Sequence, residues 1–450
     1  MISYTKYKTP LCDWIERIPS HWDSQRIKNL FALRDERNYK PLSEVNLISL
    51  YASLGVRQHK DIEHKTGNKA RNADGYKVVY PNDIVVNILL CWMGAVGRSD
   101  YYGVTSPAYD IYQPKTQEIN TKYYDYLMRT PMFAQQCYRA GKGIMAMRWR
   151  TYSPQFSNIV IPVPPREEQD QIVRFLDWKM SGINKLIGLK QKQISALKEV
   201  MYAAIEKQLK DYPIKDTIRL KQLGSFYKGG GFSRDNLVDE NGNPAILYGD
   251  IYTQYEYKTS VISHQIDKAA YEVSPKISYG DIVMAGTGET KDEIGKSILY
   301  TGDENVAVGG DVIVFHPNEG VNSEYLLYQL YSQAALRHRY INGKGDIIVH
   351  IYPTALGNTI INLPSEDDQD KAVERINKAI IQVKKAIDVL TEEISVLKEY
   401  SIRLVSDAVT GKIDVRDVNI PEYEYVEESV STEADGEFDF DENDGQVDSE

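Results

Sequence analysis

The sequence predicts an α+β protein in which two mixed α/β globules are separated by two long helices that pair as an antiparallel coiled coil. Three observations lead to this fold class. The chain repeats itself after 200 residues, each repeat ends in a ladder of apolar residues at heptad spacing, and short strand-like and helix-like runs precede each ladder. Its 450 residues suffice for two or three domains of roughly 100–200 residues each.

The internal repeat is gapless over residues 161–199 and 361–399. IPVPPREEQDQIV aligns with INLPSEDDQDKAV, and QISALKE aligns with EISVLKE. Weaker matches lie upstream, where Asp83-Ile84-Val85 resembles Asp281-Ile282-Val283 and Gly141-Lys142-Gly143 resembles Gly343-Lys344-Gly345. Because the helical parts match better than the globules, the pattern favours a fixed frame that carries two diverged modules, related by a pseudo-two-fold axis.

Both ladders alternate spacings of three and four residues over more than four heptads, which is the pattern of a coiled coil. About 40 helical residues would form a rod of roughly 60 Å. An amphipathic helix packed on its own globule is the alternative, but two matched ladders in one chain favour pairing with each other. The seam residues that we predict are Val173, Leu176, Ile183, Ile187, Ile194, Leu197, Val373, Ile376, Val383, Ile387, Leu390, Ile394 and Leu397.

The two globules have the pattern of mixed α/β domains, with Gly and Asn at many turns. Strand-like runs cover residues 46–51, 83–90, 245–247, 281–284 and 311–315, and helical patterns cover 122–129 and 324–338. The predicted order is a first globule over residues 1–163, a first helix over 164–212, a second globule over 213–363, a second helix over 364–412 and a terminal segment over 417–450.

The formal charge of −11 argues at first against a nucleic-acid partner, because phosphate binding needs clustered Lys and Arg. The charge is unevenly distributed, however. Residues 417–450 contain 14 Asp and Glu and no Lys or Arg, so residues 1–416 carry +3. The terminal segment lacks apolar periodicity, and we expect it to be disordered. It would act as a solubilising extension or compete with DNA phosphate.

Cysteine usage and the N-terminus indicate a cytoplasmic protein. Cys12, Cys91 and Cys137 have no metal-ligand spacing and form no disulfide framework, so no metal site is predicted. The first ten residues have no apolar signal-peptide core. The longest apolar stretch, residues 84–96, is too short to span a bilayer, which needs about 20 residues.

The sequence offers little reason to predict catalysis. Gly295-Lys296-Ser297 lacks the first glycine that a phosphate-binding loop requires, so a turn after a strand is the better interpretation. Pro164-Pro165 lies at a helix start and lacks the preceding Asn or Asp of an amino-methyltransferase motif. Glu63-His64-Lys65 has the Glu-x-Lys half of a nuclease motif without the upstream Asp on a strand.

Basic clusters lie in loops of both globules. Residues 57–77 contain six Lys and Arg against three acids, and residues 139–150 contain four with one Trp and no acid. In the second globule, Arg337, Arg339 and Lys344 surround Gly343, and Lys228 and Arg234 flank a Gly triplet. Such loops suit phosphate and base-edge contact, although a solvated surface is the favoured interpretation of any single cluster. A basic globule at each end of a rod could contact two half-sites about 34 Å apart.

With these features, the chain resembles the specificity subunit of type I restriction-modification systems. The resemblance covers residues 1 to about 416 and is carried by YKTPLCDWIERIPSHWDSQRIKNLF, IPVPPREEQDQIV, FYKGGGFSRDN, GNPAILYGDIYTQY and LVSDAVTGKIDVR. It implies two target-recognition domains, joined by two conserved helices, that each read half of a split double-stranded DNA sequence. Two features depart from the family pattern: Pro-Ser-Glu-Asp-Asp-Gln at the start of the second helix, and the acidic terminal segment.

The resemblance also implies partners. Modification subunits would methylate adenine with S-adenosylmethionine, and restriction subunits would use ATP and Mg, whereas the specificity chain has no catalytic residues and no cofactor of its own. A DNA nuclease or methyltransferase acting alone, and a purely structural coiled-coil adaptor, are the alternatives. From the loops, and from the Gly-Asp-Ile-Tyr run at 249–252 that recurs in the family, the predicted DNA-contacting residues are Lys65, Asn68, Lys69, Arg71, Arg148, Arg150, Lys228, Arg234, Tyr252, Lys258, Lys344 and His350.

Overall fold

The structure, a computed structural model, describes residues 3–52, 54–61, 72–143, 149–346 and 348–427. The chain divides into two compact units, and each contains a part of both long helices. Unit 1 comprises residues 1–191 and 391–450, and unit 2 comprises residues 192–390. Among the described residues, no helix is both long enough and apolar enough to cross a membrane.

Unit 1 contains a four-stranded antiparallel sheet in the order β4-β11-β8-β9, in which Tyr112 of β11 pairs with Leu33 of β4 and Ile84 of β8. Its globule has the elements β1 (Tyr7–Lys8), β2 (Ile18–Pro19), β3 (Asp23–Arg26), α1 (Ile27–Leu30), β4 (Phe31–Arg34), β5 (Ile48–Tyr51), β6 (Gly55–Gln58), β7 (Lys77–Val79), β8 (Ile84–Asn87), β9 (Val96–Arg98), β10 (Gly103–Thr105), β11 (Tyr109–Pro114), α2 (Thr121–Met128), α3 (Pro131–Ala140), α4 (Ser153–Phe156) and β12 (Val160–Val163).

The first long helix, α5, spans Arg166–Lys210. The globule of unit 2 then has β13 (Asp216–Arg219), β14 (Gly224–Lys228), β15 (Leu237–Val238), β16 (Asn243–Ile246), α6 (Tyr248–Thr253), β17 (Lys258–Thr259), β18 (His264–Ile266), α7 (Lys268–Val273), β19 (Lys276–Ile277), β20 (Ile282–Ala285), β21 (Thr287–Gly288), β22 (Ser297–Tyr300), β23 (Val306–Val308), β24 (Val312–Pro317), α8 (Ser323–Leu330), α9 (Gln333–Asn342), β25 (Val349–His350), α10 (Pro353–Leu356) and β26 (Ile360–Leu363). The second long helix, α11, spans Glu366–Val409.

The two globules share one topology, which extends the sequence repeat beyond the helices. The sheet order β14-β24-β20-β22 in unit 2 repeats β4-β11-β8-β9 of unit 1, and β17 adds a fifth, parallel strand. The strand before each sheet pairs with the strand before each long helix, β3 with β12 and β13 with β26. Unit 2 carries a further five-stranded sheet, β15-β18-β16-β23-β19. The prediction of two mixed α/β globules in an α+β fold is therefore confirmed.

The two long helices pack along the predicted seam in each unit. In unit 1, Leu176 in the first half of α5 shares a buried core with Leu404 in the second half of α11. In unit 2, Ile205 in the second half of α5 shares a core with Ile376 in the first half of α11. The helices therefore run in opposite directions, as predicted. All thirteen predicted seam residues are buried or half-buried, and Lys190 of α5 forms a 2.5 Å ion pair with Glu393 of α11.

A polar lock joins each globule to the start of its long helix. In unit 1, Asn120 caps α2 with its side-chain oxygen, while its side-chain nitrogen donates to Asp170 of α5 at 2.6 Å. In unit 2, Asn322 caps α8 and donates to Asp370 of α11 at 2.9 Å. One side chain thus satisfies free N–H groups at one helix end and fixes the position of a second helix.

The sequence Pro-Ser-Glu-Asp-Asp-Gln at the start of the second long helix has a local explanation. The Ser365 hydroxyl accepts a hydrogen bond from the Asp368 N–H at 3.3 Å and donates to the Asp368 carboxylate at 2.7 Å. Ser365 therefore caps α11, whereas Pro165 at the equivalent place in α5 has no N–H to satisfy. Near the start of each long helix a glutamine side chain donates to the carbonyl of the proline five residues earlier, Gln169 to Pro164 and Gln369 to Pro364.

The structure differs from the sequence prediction in two places. The helix predicted over 324–338 is two helices, α8 and α9, because the Ser332 side chain accepts from the Ala335 N–H and begins a new helix. The first part of the terminal segment, which we expected to be disordered from residue 417, follows α5 and bonds to it through Glu424 and Val426. The expectation is therefore wrong for residues 417–427, and residues 428–450 lie outside the described part.

Replacement of one fully buried seam residue tests the coiled coil. We expect Ile376→Ala to lower the free energy of unfolding of unit 2 by about 2–5 kcal/mol, because the truncation leaves a cavity in a packed core. The matched control is Ile381→Ala on the exposed side of the same helix, for which we expect a change within about 0.5 kcal/mol. Urea denaturation followed by hydrogen-exchange mass spectrometry measures unit 2 separately, and equal effects of the two variants would contradict the assignment of the seam.

Candidate nucleic-acid interface

A short hairpin follows α3 in unit 1 and carries basic residues. Its ends are joined by a pair of backbone hydrogen bonds between Lys142 and Arg150, at 2.9 and 3.0 Å. Trp149 stacks on Tyr138 with ring centroids 4.8 Å apart and donates its indole N–H to the Tyr138 carbonyl. The hairpin is thus fixed to the end of α3, with the Lys142 side chain exposed and Arg150 half-buried.

The same hairpin follows α9 in unit 2. Lys344 and His350 exchange backbone hydrogen bonds of 2.9 and 2.8 Å, and Lys344 is exposed. His350 also pairs with Thr287 of β21, and its Nδ1 atom lies 2.9 Å from the Thr287 hydroxyl. Because this contact uses Nδ1 and fixes the ring, Nε2 remains to donate or accept a hydrogen bond. We refer to the paired ends of these segments, residues 142–143 with 149–150 and residues 344–346 with 348–350, as the two recognition hairpins.

The 200-residue shift places corresponding side chains at the end of each recognition hairpin. Arg150 corresponds to His350, and Tyr152 corresponds to Tyr352, with exposed fractions of 43% and 44% for the two tyrosines. The ammonium of Lys228, at the end of β14, lies 5.3 Å from the ring centre of Tyr352. Lys228, Lys344, His350 and Tyr352 are therefore connected through neighbouring elements of unit 2. Among them, the sequence prediction missed Tyr352.

Arg234 and Tyr252 lie around the Gly-Asp-Ile-Tyr run that begins α6. A side chain at Gly249 would approach the exposed Arg234 guanidinium to 3.5 Å, so these residues are neighbours. Tyr252 is half-buried, and its hydroxyl donates to the Glu293 carbonyl at 3.4 Å. Burial, followed by the nearby charge of Glu293, raises the pKa of Tyr252 above its ordinary value. Tyr252 is therefore a neutral phenol that keeps its O–H at physiological pH.

Lys258 is engaged in an ion pair. Its ammonium contacts the carboxylate of Glu324 in α8 and lies 3.0 Å from the side-chain oxygen of Asn377 in α11. In unit 1, the corresponding link between a globule helix and a long helix joins Lys122 of α2 to Asp177 of α5, at 2.8 Å. Because its charge is already used to join elements of unit 2, Lys258 is a poorer candidate for phosphate contact than the exposed lysines.

Two other cations counted in the basic clusters also have structural roles. Lys77 is buried and pairs with Asp110 at 2.9 Å. Arg339 is 3% exposed and donates to the Gly295 carbonyl at 2.6 Å. Charge counts in loop sequences therefore overestimate the cations that are available to a ligand.

The Gly295-Lys296-Ser297 motif is part of the packing of unit 2. The Lys296 ammonium donates to the Tyr252 carbonyl at 3.1 Å, and burial lowers the pKa of this lysine below its ordinary value. Ser297 is fully buried and pairs with Met284 of β20. This geometry agrees with a structural turn next to a strand, not with a loop that holds phosphate.

Five of the predicted DNA-contacting residues lie outside the described residues. They are Lys65, Asn68, Lys69, Arg71 and Arg148. The described neighbours of Arg148 are Trp149 and Arg150, within the first recognition hairpin.

Sequence reasoning missed Tyr138, Lys142 and Tyr152 in unit 1 as members of this surface. Extending the 200-residue shift upstream of residue 161 would have found the tyrosine pair.

Comparison with known proteins agrees with this architecture. The chain is 23% identical over 440 residues to the type I restriction enzyme MjaVIII specificity subunit of Methanocaldococcus jannaschii, and the alignment covers 90% of this chain and 95% of the relative. No protein-family profile matches the chain.

A solved structure shares the fold. A chain from a structure of a type I restriction-modification system, described for its complex assembly and conformational transition, superposes with a TM-score of 0.58 at 14% identity, covering 88% of this chain and 99% of the other. The HsdS subunit of Thermoanaerobacter tengcongensis gives a TM-score of 0.41 at 14% identity, covering 88% and 98%. In sequence this chain resembles a type I restriction enzyme specificity subunit, and in fold it resembles a chain from the structure of a type I restriction-modification system.

Proposed function

We propose that the chain is the non-catalytic DNA-recognition subunit of a type I restriction-modification complex, in which each unit reads one half of a split target. The observation that carries this proposal is the pair of recognition hairpins. Both units hold the same hairpin at the same place in the same topology, each with an exposed lysine and an exposed tyrosine. A chain with two equivalent readers suits a target with two half-sites.

The side chains of the hairpins would have two roles, contact with DNA phosphate and contact with base edges. Lys142 and Lys344 are exposed cations and suit phosphate contact, which positions a protein on the duplex without reading sequence. Arg150 and His350 carry hydrogen-bonding groups at corresponding positions and suit base edges in the major groove. Since an arginine and a ring nitrogen of histidine offer different hydrogen-bonding patterns, the two units would read different half-sites.

Partners would supply the chemistry. Modification subunits, with S-adenosylmethionine as methyl donor, would dock on the long helices, where Leu186, Leu189 and Val396 in unit 1 and Ile381 and Val389 in unit 2 are exposed apolar side chains. Restriction subunits would bring ATP and Mg, and this chain would need no cofactor. We place the complex in the cytoplasm. Docked modification subunits would also add positive surface to a body that carries only +3.

Salt dependence tests the phosphate contacts. In the assembled complex, we expect Lys142→Ala or Lys344→Ala to weaken DNA binding about equally for all sequences and to reduce the slope of log K against log salt by about 1, because one phosphate contact is lost. The control is Lys258→Ala, whose ammonium is already paired with Glu324. If the slope of log K against log salt changed for Lys258→Ala but not for Lys142→Ala or Lys344→Ala, the assignment of phosphate contact to the hairpin lysines would be wrong.

Substitution of the corresponding residues tests base reading. We expect His350→Ala and Arg150→Ala each to relax specificity at one half-site, with a loss of about 1–3 kcal/mol of discrimination per base contact. Genome-wide mapping of methylated adenine in cells that carry the complex measures the change. Thr287→Val frees the His350 ring and should relax the same positions as His350→Ala, although less. If Arg150→Ala in unit 1 and His350→Ala in unit 2 relaxed specificity at the same half-site, the result would argue against one half-site per unit.

The alternatives predict different results. DNA cleavage or methylation by the isolated chain would support an enzyme, and a complex without sequence-selective binding would support a structural adaptor. Neither alternative accounts for the two equivalent hairpins.

A further inference from the structure

The segment after α11 lies along the first half of α5 in unit 1. We infer that α5 and α2 form a binding site for an extended acidic peptide, and that residues 418–427 of the same chain occupy it. We call this the α5 peptide site and define it by Lys122 of α2 and by Gln171, Asp177, Ser181, Asn184 and Lys185 of α5. The inference is independent of DNA recognition, because it rests on other residues and on other contacts.

The α5 peptide site forms hydrogen bonds to the main chain of the peptide. The Ser181 hydroxyl accepts from the Val426 N–H and donates to the Glu424 carbonyl, both at 2.7 Å. The Asn184 side chain donates to the Val426 carbonyl at 3.1 Å. Two side chains one helical turn apart thus satisfy three main-chain groups of an extended segment, which is how a surface holds a strand-like peptide.

Further contacts fix the beginning of the segment. The Gln171 side chain donates to the carbonyls of Val415 and Val418, at 3.0 and 2.9 Å. The side chains of Val418 and Ile420 pack against the core of unit 1. The segment therefore enters the site in a defined register, with apolar residues first and acidic and aromatic residues after them.

The site also matches the side chains of its occupant. Lys185 forms a 3.3 Å ion pair with Glu424. The Lys122 ammonium lies 5.7 Å from the ring centre of Tyr425 and 2.8 Å from the Asp177 carboxylate, which orients it. These contacts select a peptide with a carboxylate and an aromatic ring on neighbouring residues, as in Glu424-Tyr425.

Unit 2 lacks the three hydrogen-bonding residues of this site, although the rest of the frame repeats and Lys185 recurs as Lys385. The positions that correspond to Gln171, Ser181 and Asn184 after the 200-residue shift are Lys371, Ile381 and Lys384. Lys384 pairs with Glu256, and Ile381 is 53% exposed. Because the hydrogen-bonding set is present in only one of two equivalent helices, it is not required for the frame itself. Its residues fit a role specific to unit 1, the binding of the C-terminal segment.

A tethered occupant competes with any free peptide at an effective concentration in the mM range. The test therefore loosens the occupant and leaves the site intact. Val426→Pro in the full chain removes the N–H that donates to Ser181 and changes no residue of α5 or α2. The probe is a fluorescent synthetic peptide with the sequence of residues 417–427, and its fluorescence anisotropy reports binding.

We expect the Val426→Pro chain to bind the probe about 100-fold more tightly than the wild-type chain, in which the tethered segment fills the site. Adding Ser181→Ala should weaken binding about 30-fold, since two hydrogen bonds are lost. Adding Ile381→Ala at the corresponding place in unit 2 should change nothing. Equal binding with and without Ser181→Ala, or no binding to the Val426→Pro chain, would overturn the inference.

Hydrogen exchange gives a second readout that uses no probe. In the wild-type full chain, the Val426 amide should exchange slowly, and Ser181→Ala should increase its exchange about tenfold or more. Fast exchange in the wild-type chain would show that residues 418–427 do not occupy the site. Probe binding that depends on Ser181 but is equally strong in the wild-type chain would also count against it, because the tethered segment would then not fill the site.

Discussion

The apolar seam between the two long helices is the constraint on which the rest of the structure depends. Each unit is completed by two helix segments that lie far apart in sequence, because Leu176 packs in one core with Leu404, and Ile205 packs in another with Ile376. Neither globule can therefore bury its core with contiguous chain alone. Within each unit the heptad spacing places the apolar side of each helix toward its partner, so both units draw their stability from segments of the same two helices.

The polar locks at the starts of the long helices turn this seam into a frame for variable loops. Asn120 and Asn322 each cap a globule helix and bond to an acid one turn into a long helix, so the sheet and the long helix of each unit keep one relation. The recognition hairpins follow α3 in unit 1 and α9 in unit 2, each next to the helix that the asparagine caps. A rigid scaffold with short projecting loops allows residues in the loops to change while the packing does not. Arg150 and His350 fit this pattern, because they occupy corresponding positions and differ in chemistry.

The sequence predicted the parts of the structure that periodicity encodes. The seam, the repeat and the two mixed globules follow from spacing and from self-similarity, and they need no knowledge of distant contacts. The roles of individual cations could not be predicted in this way. Lys77, Lys258 and Arg339 have partners between 33 and 66 positions away, and only the folded chain shows that these charges are engaged. The acidic composition of the terminal segment predicted disorder, but Val418 and Ile420 supply enough apolar contact, and Ser181 enough hydrogen bonding, to dock its first part.

Comparison of corresponding positions separates what the frame needs from what each unit does. Gln169 and Gln369 make the same bond at the start of both long helices. Tyr126 and Tyr328 each donate to a side chain of a long helix, Asp177 in unit 1 and Asn377 in unit 2. Where the two residues are identical, or differ but keep the same hydrogen bond, the position serves the packing of the frame. Arg150 against His350, and Ser181 against Ile381, show the opposite behaviour, because the backbone corresponds while the chemistry changes. The two units of one chain can thus be compared with each other, and a position that differs between them on a corresponding backbone is one whose side chain the frame does not require.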